Sequence, residues 1–193
     1  MAKEPLEKKE ILLKYAKNDD FFAWWILANE IPFYIFDYDP RDELQVRKLA
    51  SDFWKELENK WRNVCHINLY ELIIDILTEK FWPEKYMELE EKNWFEYLSE
   101  HVIKPKIEGD TVTNKILELS KWHELIYLTH LWVAWPFLRA HSLLNNLAWV
   151  LPTHIVIVLF YPWSYDKKAG KMTLNLFDKF FDDHYYRAFP LCN

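Results

Sequence analysis

Glycine is almost missing from this chain. Among 193 residues there are two, Gly109 and Gly170, where average usage of roughly 7% would supply about 13. The scarcity excludes chemistry. A phosphate-binding loop or a dinucleotide fingerprint needs several glycines so that the backbone can close on phosphates, and no such cluster exists here. It also constrains turns, because positions that need a positive φ must use Asn, Asp or strain. Cysteine is nearly as scarce. Cys65 and Cys192 form no CxxC or other zinc spacing and read as two free thiols in a reducing cytoplasm. An excess of basic charge is missing too. The formal net charge is −6 and the pI is near 5.7. A free-standing nucleic-acid binder usually carries a basic face, since phosphate neutralisation supplies most of its affinity. The balance argues against direct DNA binding, although Lys167, Lys168 and Lys171 form a local patch. No apolar run suits a membrane. The longest, LAWVLPTHIVIVLFYPW (147–163), is broken by Pro152, Thr153, His154 and Pro162, and reads as a helix end, a turn and a buried strand. The opening MAKEPLEKKEILLKYAK is charged throughout and is no secretory signal.

What is present is apolar and aromatic. Hydrophobic residues make up 51% and aromatics 18%, with eleven Trp, which argues against disorder and for one domain spanning 1–193 with a full core. Residues 5–17 have helical spacing, and FFAWWILAN (21–29) is apolar all round. IPFYIF (31–36) is the first strand. PRDELQVRKLASDFWKELENKW (40–61) is an amphipathic helix with Leu44, Leu49, Phe53, Trp54, Leu57 and Trp61 as its stripe. VCHINL (64–69), ELIYLTH (124–130) and HIVIVLFY (154–161) are further strands, with helices over 70–81 and 135–151. The charged stretch 83–121 reads as a helical insertion, and Asp110 as the N-cap of its last helix. MTLNLF and HYYRAFPL supply a short fifth and sixth strand. Strands that alternate with helices predict an α/β fold, a mostly parallel sheet of five to six strands flanked by helices. Their continuous apolar runs suit burial on both faces.

In such a sheet, ligands bind outside the carboxyl ends of the strands. That rule selects Asp37, Tyr38 and Asp39 after the first strand, and Asn68, Tyr70 and Glu71 after the second. Thr129 and His130 follow the third, with Arg139 and His141 further into its helix. Tyr161, Ser164, Tyr165 and Asp166 follow the fourth. Asp39-Pro40-Arg41-Asp42-Glu43 has the make-up of a helix start, with Asp39 as cap, Pro40 at the first position and acids in the first turn. Asp37 is not explained by capping; it is either hydrogen-bonded locally or functional. Arg139 is expected to pair with a carboxylate such as Asp37 or Glu71, as buried charges normally do. Asn145 and Asn146, inside an apolar helix, suggest a polar contact to a neighbouring loop. Enzyme templates fail. There is no GxSxG or HExxH, and the seven His show no ligand spacing on one helix face. A metal-dependent nuclease using Glu30, Asp37 and Asp39 with His141 stays open, although no predicted strand carries the lysine it would want.

NEIPFYIFDYDPRDELQVR, INLYELIIDIL, WPFLRAHSLLNNL, VLFYPWSYD and DDHYYRAF run in this order from about residue 29 to 189. As a set they resemble BrxB, a family of small proteins of the BREX phage-defence systems. The resemblance implies an α/β fold like a degenerate P-loop ATPase sheet without its phosphate loop. It implies no cofactor and a non-catalytic component that associates with other BREX proteins, chiefly the phosphatase-fold protein PglZ. A nucleotide-binding remnant is the remaining alternative. The blocks add Asn29, Glu30, Tyr185, Tyr186 and Arg187 to the structural or interaction residues. Family members carry glycines before the Asn-Glu pair, before the Trp-Pro pair and around the Pro-x-x-Tyr-Asp turn. Here those places hold Ala28, residues 131–134, and Trp163 with Lys167, so large side chains would close a small pocket there.

Overall fold

The computed structural model describes residues 5–18, 33–60, 62–79, 82–107, 110–135, 137–152, 154–162, 164–168, 171–176, 180–181 and 188–191. The chain divides into two compact units. The first comprises Met1–His66, Trp122–Thr129 and Leu151–Asn193, the second Ile67–Lys121 and His130–Val150.

Five strands form one all-parallel sheet in the order β2-β3-β4-β1-β8. They are β1 (Phe33–Tyr38), β2 (Val64–Asn68), β3 (Leu125–Thr129), β4 (Val156–Pro162) and β8 (Phe189–Pro190). β1 sits between β4 and β8, with Phe33 opposite Ile157, Asp37 opposite Tyr161 and Tyr34 opposite Phe189. β3 and β4 are buried at every residue, which is why both read as unbroken apolar runs. The predicted α/β architecture is therefore what the chain adopts.

One face of the sheet is covered by helices α1 (Pro5–Ala16) and α2 (Glu43–Asn59). Alternate strand residues Tyr34, Phe36 and Tyr38, then Val156, Val158 and Phe160, share one core with Leu12 of α1. α2 contributes Val46, Leu49, Ala50, Phe53 and Leu57, spaced as one helical stripe. Leu44, expected on that stripe, is instead 80% exposed. It lies five positions before Leu49, which places it well off that face, and Val46 takes the inward position. Burial of each large side chain contributes on the order of 1.5–3 kcal/mol.

MTLNLF does not join the parallel sheet. β5 (Ser164–Lys168), β6 (Lys171–Leu176) and β7 (Phe180–Phe181) form a separate antiparallel sheet in that order. The alternation of Met172, Leu174 and Leu176 with Thr173 and Asn175 is the pattern of a strand with one apolar face. That pattern suits an antiparallel sheet, not the middle of a parallel one. Residues 164–166, expected in a loop after β4, are strand as well.

The second unit is helical. It holds α3 (Leu69–Thr78), α4 (Pro83–Lys92), α6 (Thr111–Leu119), α7 (Leu131–Ala134) and α8 (Ala140–Val150). Between α4 and α6 lies α5, formed by Phe95–Tyr97, a π-helical stretch Leu98–Ile103 and Lys104–Ile107. The charged stretch 83–121 is thus helical in three pieces. Asp110 stands at the α6 cap position, but its side chain makes no capping bond. The helix expected over 135–151 starts only at Ala140.

Glycine scarcity leaves a mark on the backbone. Among the described residues, two non-glycine positions have positive φ, Trp122 at 73° and His130 at 60°. Of the three options the sequence left, Asn, Asp or strain, the chain takes strain at both positions, on two ring-bearing residues.

Candidate functional site

The acids of IPFYIFDYDPRDEL occupy the end of β1 and the entry to α2. Asp37 is met by Lys8 of α1. The Lys8 ammonium donates to Asp37 Oδ1 at 3.1 Å and also to the Asp37 backbone carbonyl. It lies 5.8 Å from the Phe36 ring centroid. The two side chains are only 8% and 14% exposed, so this is a nearly buried ion pair with added hydrogen bonding. Sequence reasoning missed Lys8. It lies 29 positions away on a helix whose lysines all look like a solvated face. Only the extra burial of one of them distinguishes it.

Asp39 behaves as its position predicts. Its carboxylate accepts the Arg41 backbone N–H at 2.9 Å, and Pro40–Asp42 forms a 3-10 turn that feeds α2. The Arg41 guanidinium folds back onto the same carboxylate, Nε to Oδ1 at 3.0 Å. Those bonds pull the Asp39 carboxyl down to about 2. A phosphate arriving at this turn would meet a carboxylate already seated on the free N–H, the reverse of an anion site. Next to it, Tyr38 donates to Glu43 at 2.6 Å and Arg47 Nε donates to Glu43 at 2.8 Å. Burial first, then the Glu43 carboxylate, pushes the Tyr38 phenol far above its ordinary range.

At the end of β3, Thr129 shares a hydrogen bond of 2.8 Å with His66 Nε2. The His66 ring stacks on Tyr127 at 4.5 Å and 9°, and Trp54 meets it edge-on at 5.6 Å. This is a packed aromatic group. Tyr161 is buried at the end of β4. Tyr165 lies on β5 opposite Leu174, and Asp166 opposite Thr173. Cys65 is a buried thiol in no disulfide, and burial raises its pKa.

In the second unit, Asn68 caps α3. Its side-chain oxygen accepts the N–H of Tyr70 at 3.1 Å and of Glu71 at 3.3 Å, which occupies that helix N-terminus as well. Tyr70 and Glu71 are exposed in the first turn. Arg139 does not form the pair with Glu71, within the same unit, that the sequence suggested. It is exposed, with its guanidinium carbon 4.1 Å from the Trp135 ring centroid. The late start of α8 leaves Arg139 outside the helix, one turn beyond a large ring on which a planar cation can stack. His141 Nε2 lies 3.3 Å from Asn145 Nδ2, one turn along α8. The contact of Asn145 is therefore within its own helix, not to a neighbouring loop. Asn146 is half-buried on the same helix. Asn29, Glu30, Tyr185, Tyr186 and Arg187 lie outside the described residues.

Among the described residues, no three His, Cys, Asp or Glu side chains converge as metal ligands. No described helix is long and apolar enough to cross a membrane. The structure brings Asp37 to Lys8, Tyr38 to Glu43, and His141 to Asn145. These contacts tie side chains into internal pairs.

Fold and edge thus define an α/β protein whose chemistry-bearing side chains at the strand ends are largely engaged with the chain itself. The chain belongs to the BrxB family: the family described as BREX protein BrxB matches residues 65–191. It is 32% identical over 169 residues to the BREX protein BrxB of Bacillus cereus (strain H3081.97), covering 86% of this chain and 85% of that one. It is 33% identical over 167 residues to the BREX protein BrxB of Escherichia coli O9:H4 (strain HS), covering 85% and 80%. No solved structure matches the chain.

Proposed function

We propose that this chain is a non-catalytic interaction component of a BREX-type anti-phage complex, and that it binds other BREX proteins, the PglZ phosphatase-fold protein first among them. The observation that carries the reading is the engagement of the strand-end acids. Asp37 is held by Lys8 and Asp39 by Arg41. A nuclease needs carboxylates free to converge on a metal, and a nucleotide site needs helix N–H groups free for phosphate. The relatives are BREX proteins, which supports membership of a BREX system. Exposed rings such as Trp82 and Trp94 have the chemistry of interface anchors. The residues at the strand ends then shape the loops that a partner meets.

The test is a mixing experiment. The purified chain is run alone and with the PglZ-type protein of the same system on size exclusion with light scattering. A parallel sample holds Mg and a DNA substrate. Co-elution without cleavage is expected. Separate elution, together with metal-dependent cleavage that Asp37→Ala abolishes under conditions where a thermal melt shows the variant still folded, would overturn the reading in favour of a nuclease.

A further inference from the structure

The stretch from Trp82 to Glu100 stands apart from the rest of the molecule in two independent ways. Its large apolar side chains face water: Trp82 is 82% exposed, Met87 62%, Trp94 84%, Phe95 54% and Tyr97 48%. It also concentrates charge. Those 19 residues hold six Glu and two Lys, a net of −4 against −6 for the whole chain. Glu84, Glu90, Glu91 and Glu96 are exposed and make no ion pair among the described residues, while Lys85 is tied to Glu88 at 3.1 Å.

Within α4, helix periodicity puts Met87 and three of the acids on one side. The inner side of α4 is marked by half-buried Tyr86 and Leu89, with the Tyr86 hydroxyl donating to the Leu77 carbonyl at 2.8 Å. The opposite stripe carries Glu84, Met87, Glu88 and Glu91, at the spacing of one helix face. Trp82 and Trp94 bracket the helix. Ten residues of helix are about 15 Å long, so both rings fit within one interface of standard size.

We propose that this outward side of residues 82–100 docks an arginine-bearing basic surface of a partner protein. The proposal rests on the interaction reading above and names the chemistry of the partner. Charge decides among occupants. Nucleic acid and anionic lipid would be repelled by a net of −4. A second copy pairing this side with itself would bring −4 against −4. A cationic polypeptide meets complementary charge, and exposed Trp faces are the best aromatic partners for guanidinium groups. The chain already makes that contact internally, where Arg139 lies over Trp135 at 4.1 Å.

The test uses the full chain and the PglZ-type protein of the same system as the probe, with affinity read by biolayer interferometry at low and high salt. Three variants are compared with the unaltered chain: Trp82→Ala with Trp94→Ala, Glu84→Lys with Glu90→Lys and Glu91→Lys, and Trp149→Ala as a control on α8, where Trp149 is also 88% exposed. Thermal melts confirm that each variant folds. The aromatic pair is expected to weaken binding about tenfold or more. The charge reversal is expected to lower the association rate and remove its salt dependence, and the control to stay within about twofold. Binding unchanged in both the aromatic and charge variants would overturn this docking surface and leave the interaction reading intact. No binding by the unaltered chain would overturn both. Self-association of the unaltered chain that the Trp variants abolish would overturn the proposal in favour of a second copy.

Discussion

The end of β1 and the stretch 82–100 are both rich in acids and rings, yet they solve opposite problems. At β1, Asp37, Asp39 and Tyr38 are met by Lys8, Arg41 and Glu43 of the same chain. Along 82–100, Glu84, Glu90 and Glu91 stand in solvent beside rings that bury little of themselves. In the first region a substitution breaks something inside the fold. In the second it removes something that the fold does not use. Composition alone does not separate the two; what separates them is whether a counter-charge and a packing partner come from within the chain.

The largest expected effect is therefore at the Lys8–Asp37 pair. Removing one partner of a nearly buried ion pair strands the other, and costs about 3–5 kcal/mol. Lys8→Ala and Asp37→Ala should each lower the urea midpoint by a corresponding amount. Replacing both, as Lys8→Met with Asp37→Leu, should recover most of the loss, since no charge is left unpaired. If Asp37→Ala leaves stability unchanged, the pair does not hold the fold together.

The caps come next. Asn68→Ala removes the acceptor for two N–H groups of α3 and should cost about 1 kcal/mol in equilibrium unfolding. Asp39 gives a pH signature. Its folded carboxyl titrates near 2, below its ordinary 3.8. Its contribution is therefore complete above its ordinary pKa and is lost as the pH falls through about 2. Arg41→Ala should flatten that part of the stability profile, and an unchanged acid limb would count against the Arg41 contact.

Much of this was legible in the sequence. The four long strands and the cap at Asp39 follow from apolar runs, Pro40 and the acids behind it. The partner of Asp37 was not legible, because Lys8 is one lysine among several on α1 and tertiary contact alone singles it out. The stacking of Arg139 on Trp135, in place of a pair with Glu71, was not legible either, because α8 begins late and leaves that ring within reach. The second sheet was hidden by a weak sequence signal. Ala169-Gly170 separates β5 from β6, a weaker hairpin signal than Asn-Gly. The alternation in MTLNLF was the better clue.

Trp122 offers a change of opposite sign. It is 91% exposed with φ at 73°, a region that costs a residue with a Cβ roughly 1–2 kcal/mol. Trp122→Gly should raise the thermal midpoint, through a net gain of about 0.5–1 kcal/mol after the entropy that glycine adds to the unfolded chain. A lowered midpoint would mean that the ring contributes packing which its exposure does not suggest.

The smallest expected effect on stability is the most informative about function. Trp82→Ala and Trp94→Ala remove large rings, a class of substitution that costs about 3–5 kcal/mol in a core. Here both rings are more than four-fifths exposed, so each variant should unfold within about 0.5 kcal/mol of the unaltered chain. A large loss of stability would move these rings into the class of Phe36 and Phe53, and the contrast between the two regions would collapse. Unchanged stability sharpens it. A chain that keeps several unburied rings beside unpaired carboxylates gains nothing from them in folding, and any advantage they confer has to come from a surface outside the chain.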